Sequence, residues 1–323
     1  MIASQAEHSL ESVTIPELLE QIAVTHPYFA FSQIHQSAAG KLVAAVPPRE
    51  QPMDCECGVR AAAEVGRHLA ILGACAAARL QKKEGPHYYL ANKAKLRASE
   101  AYVQKIMGGD YDDLNCGNLI SFADAEFTGN RSAHAVARIT CDGSDAELYH
   151  LDVGYSVLTP KVFERFFSRH RVDDYHVDPN AYRDKVHFDE LVEDIVLLDD
   201  LLSAHFGFQP TVCAGHFPKF PALPVAVLMY ILSKAAGKLL EEVTRIDGVR
   251  YIVVGADINA ENLAFPDEKL HLIVQHKVGD VAAGRHGFRC RALAEGREQH
   301  LFGEMFLTLQ VVDAVDGPLR KPR

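Results

Sequence analysis

Two side chains carry the chemistry this sequence could do. They are His216, in CAGHFPKFPALP, and Glu64, in GVRAAAEVGRHLAILGACAA. A histidine is neutral near pH 7 and suits removal of a proton alpha to a carbonyl. Pro218, Pro221 and Pro224 lock φ and hold His216 rigidly just before an apolar helix that starts near Val225. The first amides of such a helix have no intrahelical acceptor and can donate to a carbonyl oxygen that gains negative charge. Taken by itself, His216 could equally be a loop histidine with only a structural hydrogen bond. Glu64 lies among Ala61, Ala62, Ala63, Val65 and Leu69. A carboxyl kept protonated by apolar surroundings can give its proton to a leaving hydroxyl. On a wetter edge it would instead pair with Arg60 or Arg67. His68, four residues on, shares its helix face and suits a hydrogen-bonding role.

The elements that must position these groups come twice. Residues 15–23 read as a short amphipathic helix, and HPYFAFSQI as an apolar stretch. After the Pro-rich loop VPPREQP comes an Ala-rich helix over residues 58–80. Strand-like alternation follows in YYLANKAKLRA, NLISFADAEF, AHAVARITC and ELYHLDVGYSVL. The second half restarts with an acidic stretch, FDELVEDIVLLDDLLSAHF, read as helical. The Pro-rich loop and a helix over residues 225–243 come next, then YIVVGADI, KLHLIVQHK, GFRCRALAEG and GEMFLTLQVVD. Met305, Leu307, Leu309 and Val311 recur with period two. Each half therefore predicts one long apolar helix and about four antiparallel strands. A curved sheet is the economical cover for so apolar a helix. The expected division is 1–159, a connector over 160–187 with a helix at PKVFERFF, and 188–323.

The string GHFPKFPALPV resembles the G-H-F-P-G-x-P-x-x-P-G loop of the hot-dog (3R)-hydroxyacyl-acyl-carrier-protein dehydratases, well over 190–312 and weakly over the first half. The resemblance implies an α+β double hot-dog in which Gly215, Phe217, Pro218 and Val225 frame the substrate. In that family an acid lies fourteen residues after the histidine, with a Gln four further on; here those positions hold Tyr230 and Lys234. Glu64 aligns with the family acid and His68 with the Gln, while Glu50 stands where the histidine would be. His216 and Glu64 would thus form one composite site between the halves, and Glu50 with Tyr230 a dead one. The implied reaction is elimination of water from a 3-hydroxyacyl thioester, with the chain in a tunnel lined by Leu72, Leu228 and Ile231. Lys219 and Val225 replace family glycines. Hot-dog thioesterases, which use a helix carboxylate to activate water, are the rival inside the fold. A non-catalytic acyl-thioester-binding partner is the rival outside it.

The resemblance implies no metal or redox cofactor. The acyl group would ride on the phosphopantetheine of acyl-carrier protein or coenzyme A. Acyl-carrier proteins are acidic, which makes Lys82, Lys83, Lys93, Lys95 and Arg97 a candidate landing site, or an ordinary solvated surface. The fused pair could associate further as a homo-oligomer. The 323 residues, 48% hydrophobic and 24% charged, describe an ordinary globular chain, and the net charge of −10 argues against general nucleic-acid binding. No apolar run reaches the roughly 18 residues of a membrane span. The N-terminus lacks a secretion pattern. Seven scattered cysteines predict free thiols in a reducing cytoplasm. KIMGGD lacks the ending of a phosphate loop, and there is no GxSxG.

Overall fold

Period-two alternation along most of the chain builds one antiparallel sheet, whose core face is covered by helices. The computed structural model describes residues 10–48, 50–81, 85–109, 118–175, 192–277 and 279–314. Its strands are β1 (Glu11–Ser12), β2 (Ile34–Gln36), β3 (Leu42–Ala45), β4 (Tyr88–Ala98), β5 (Leu119–Phe127), β6 (Ser132–Cys141) and β7 (Glu147–Leu158), followed by β8 (Val192–Leu198), β9 (Leu201–Phe206), β10 (Val249–Ala260), β11 (Leu270–Lys277), β12 (Arg285–Ala294) and β13 (Arg297–Ala314). The 13 strands run in the order β1-β2-β3-β5-β6-β7-β4-β10-β13-β12-β11-β9-β8. The seam between early and late strands is β4 against β10, with Lys93–Arg97 opposite Gly255–Asn259. Arg97 Nη2 bonds Asp257 Oδ1 across it at 2.5 Å. On β13, Met305, Leu307 and Leu309 are buried and Phe306 is exposed, as period two requires.

The helices are α1 (Ile15–Ile22), α2 (Ala62–Leu80), α3 (Glu100–Met107), α4 (Pro160–Phe167) and α5 (Val225–Thr244). The two longest are α2 with 19 residues and α5 with 20. They touch each other, α2 packing on β5, β6 and β7 and α5 chiefly on β11 and β12. Small residues set how near the sheet can come. A Cβ on Gly73 would lie 2.7 Å from Tyr155 Oη, and one on Gly237 2.6 Å from Tyr251 Oη.

Three expectations need correction. The acidic stretch read as a helix is the β8–β9 hairpin from Val192 onward; residues 188–191 lie outside the described residues. Asp199 and Asp194 have positive φ, 31° and 52°, which makes the turn and the register shift that a helix could not hold. Leu202, Ala204 and Phe206 then alternate inward. Second, Glu100–Met107 is helical where no helix was expected, with Ser99 Oγ accepting from the Tyr102 amide as its N-cap. Third, the thiols are not all free. Cys55, Cys57, Cys75, Cys213 and Cys290 are, but Cys141 is disulfide-bonded. Among the described residues no helix is long and apolar enough to cross a membrane.

Candidate active site

The loop before α5 turns on Gly215. Its φ is +80°, and a Cβ there would lie 2.8 Å from the Tyr28 amide nitrogen, so only glycine lets the 24–28 segment approach. The approach is sealed by the Thr25 amide donating to the Gly215 carbonyl at 2.8 Å. His216 follows, 9% exposed, between the rings of Phe217 and Tyr28 at centroid distances of 3.9 and 5.0 Å. Its Nδ1 lies 2.9 Å from the Ala222 carbonyl oxygen. A carbonyl can only accept, so Nδ1 carries the proton and Nε2 the lone pair. Burial pushes the His216 pKa down to about 4, against the Ala222 bond, which raises it; the ring is neutral at pH 7. Lys219, in place of a family glycine, takes φ +68° and points into solvent, so it does not narrow the site. Pro218 is likewise exposed and shapes the loop without lining the cavity.

His216 lines a largely apolar cavity of about 250 Å³ between α2, α5 and the β4–β10 seam. From α5 it meets Val225, Met229 and Ser233, one per turn. The amides of Val225 and Ala226, both on the wall, precede the first intrahelical bond, made by Val227 to the Pro224 carbonyl. From α2 the stripe is Ala63, Gly66, Arg67, Ala70 and Ala74. The expected tunnel residues Leu72, Leu228 and Ile231 lie off this stripe, in the surrounding core. At the rim stand Lys93, Glu261 and Asn262, all exposed.

The structure does not bring Glu64 to His216. One residue along from Ala63, Glu64 is rotated about 100° around the helix. Its two oxygens accept from the backbone amides of Glu50 and Gln51, each at 3.1 Å. Arg60 Nε is 4.0 Å away. Burial would raise its pKa, but His68, the Glu50 amide and Arg67 outweigh that and hold it below the usual carboxylate range. An ionised carboxylate off the cavity wall is not a proton donor to a substrate within it. His68 is also off the wall, fully buried, with its pKa brought to about 4 by burial and by Arg67. Arg67 Nη2 is 3.3 Å from His68 Nε2 and pairs with Glu50. Glu50, Glu64 and His68 have ligand atoms within 4.8 Å of one another, yet the Arg67 guanidinium already supplies the positive charge among them.

Tyr230, expected with Glu50 in a second and dead site, is tied instead to the loop before α2. Tyr230 Oη donates to the Pro52 carbonyl at 2.9 Å and Lys234 Nζ to the Met53 carbonyl at 2.6 Å. Glu56 Oε1 accepts from the Ala62 amide at 2.7 Å and caps α2, whose Ala61 cannot. Of the suggested carrier-docking residues, Lys82 and Lys83 lie outside the described residues. Lys93, Lys95 and Arg97 alternate along exposed positions of β4, but Lys95 sits between Asp152 and Asp257 in register. Sequence reasoning missed Arg67, Tyr28 and Ser233. An arginine in an otherwise apolar helix segment was the available signal for the first.

The two buried histidines make stability depend on pH. Each titrates near 6.5 unfolded and about 4 folded, so between those values the unfolded chain holds a proton that the folded chain lacks. Stability therefore falls as pH falls from about 6.5 toward 4, by on the order of 1 kcal/mol per pH unit for each histidine. Glu56, pushed up chiefly by burial, acts in the opposite sense. Urea midpoints of His216→Gln should vary less steeply with pH across this window than those of the wild type. Equal slopes would mean that His216 is protonated in the folded chain.

No protein-family model matches the chain, and no curated protein matches it in sequence. Solved structures do. A tesB protein of Mycobacterium avium subspecies paratuberculosis is similar with a TM-score of 0.51 at 8% identity, over 86% of this chain and 95% of that one. The 12:0-ACP thioesterase of Umbellularia californica is similar with a TM-score of 0.50 at 8% identity, over 84% and 94%. A MaoC-like dehydratase reaches only 0.40 at 11% identity, over 69% and 75%, too low to bear on the fold. At such identities the likeness supports the hot-dog fold expected from the loop string. It gives the dehydratase branch no specific support.

Proposed function

We propose that the chain is a double hot-dog protein that hydrolyses acyl thioesters carried on the phosphopantetheine of coenzyme A or acyl-carrier protein. Residues 1–159 and 188–323 would form the halves, 160–187 their connector, and α2 and α5 the two central helices. The observation that carries this reading is His216, with its Nε2 lone pair, on an apolar wall where Glu261 is the only carboxylate among the described residues. Glu261 is exposed at the rim and accepts from Asn259. Hydrolysis asks for a base and an oxyanion site; dehydration asks in addition for a proton donor to the leaving hydroxyl. The structures resembled at TM-scores of 0.50 and above carry the names of a tesB protein and a thioesterase, which favours the same choice.

Nε2 of His216 takes a proton from water as the water oxygen bonds to the thioester carbon. The carbonyl electron pair moves onto oxygen, where the Val225 and Ala226 amides receive it. Collapse of the adduct restores the carbonyl and breaks the C–S bond. The leaving sulfur takes the proton back from the imidazolium. Lys93 at the rim would meet the carrier's phosphate.

Dehydration of 3-hydroxyacyl thioesters remains the second reading, on the strength of the GHFP string and the fixed His216 tautomer. Mass spectrometry of products from saturated and 3-hydroxyacyl thioesters separates the two. Free acid from both classes is the expected result. Loss of one water, giving an enoyl thioester, would replace hydrolysis by dehydration. No turnover with saturable binding would make the chain a binding partner only.

A further inference from the structure

Helix α5 carries a hydroxyl for which its own fold has no use. Ser233 lines the cavity two turns beyond Val225, is 5% exposed, and its Oγ has no hydrogen-bond partner. A serine within a helix can satisfy itself by bonding the carbonyl four residues back. Thr244, on the same helix, does so with Leu240 at 2.7 Å. Ser233 does not bond Met229 in this way, although Met229 stands beside it on the cavity wall. Alanine at this position would favour the helix more and bury no polar atom. A buried, unsatisfied hydroxyl is destabilising unless something brought into the site satisfies it.

Resting on the acyl-thioester reading above, we propose that the preferred acyl chain carries an oxygen function, a hydroxyl or a keto group, bound by Ser233 Oγ. Eight residues of helix separate Ser233 from the amides assigned to the thioester oxygen. At 1.5 Å per residue that is about 12 Å, which places the oxygen in the distal part of a medium-length chain rather than beside the thioester. Ser233 both donates and accepts, so it serves either function. It is a specificity-determining residue, remote from the bond that breaks.

The test measures binding and does not need turnover. Calorimetry on the full-length protein uses hydrolysis-inert thioether analogues of dodecanoyl-CoA, plain or bearing one hydroxyl or keto group at successive distal carbons. At least one oxygenated chain should bind roughly tenfold tighter than the plain chain. Ser233→Ala should erase that preference, bind the plain chain at least as well, and melt no lower than the wild type without ligand. Equal binding of plain and oxygenated chains would overturn the proposal and leave the acyl-thioester reading standing. So would a preference that survives Ser233→Ala, or a clear drop in its melting temperature, which would mean that the hydroxyl has a structural partner. If no chain binds at all, the acyl reading falls and this proposal with it.

Discussion

His216→Ala is expected to lower acyl-thioester hydrolysis by about 10²–10⁴-fold while leaving binding of an inert acyl thioether nearly unchanged. Among the described residues, no other histidine lines the cavity wall to serve water as a neutral base. The imidazole is presented in a single tautomer because the Ala222 carbonyl holds Nδ1–H. With its pKa near 4, the base is deprotonated through the neutral range, so kcat should be flat in pH from about 5 upward and fall only below that. The ring also packs between Phe217 and Tyr28, and its removal leaves a hole. A variant that keeps the volume, His216→Gln, separates loss of the base from loss of packing. If either folded variant retained more than about a tenth of the wild-type rate, His216 would not be the base.

Glu64→Gln is expected to damage the fold far more than the chemistry. Two backbone amides, of Glu50 and Gln51, point at its two oxygens. A glutamine can accept only one of them and turns an NH₂ donor toward the other. Arg60 and Arg67 lose the negative charge beside them as well. Breaking a buried ionic network of this kind costs about 3–5 kcal/mol, several degrees or more of melting temperature. Turnover per folded molecule should stay within a few fold. A variant that melts normally but is inactive would return Glu64 to the catalytic role that its alignment with the dehydratase acid implies.

That contrast marks where the sequence was legible. The strand pattern was plain because one face of each strand is buried; Met305, Leu307 and Leu309 on β13 are the clearest example. His216 was legible because prolines and Gly215 surround it, and residues that fix backbone angles act locally. Glu64 was singled out as an acid in an apolar early helix with His68 four residues on, and that pattern carries no information about which way the carboxylate turns. Counted from the helix starts, the sixth residue of α2 is Arg67 and that of α5 is Tyr230, while Glu64 is held by the Glu50 and Gln51 amides of its own loop. The β8–β9 hairpin was missed for a different reason. Leucines and acids in VEDIVLLDDLL favour a helix locally, and pairing with β11 overrides them.

The cavity wall is drawn from both sides of the β4–β10 seam, while Tyr230 and Lys234 on α5 are held by the carbonyls of Pro52 and Met53. An assembly of two identical chains cannot be built this way. Every substitution there falls in both sites, so neither can be closed without closing the other. In a single chain each substitution is felt once. Arg67 and Tyr230 are each the sixth residue of their helix and differ in charge and use, one on the cavity wall and one bonding the Pro52 carbonyl. Titration with a tight ligand would accordingly count one site per 35.6 kDa.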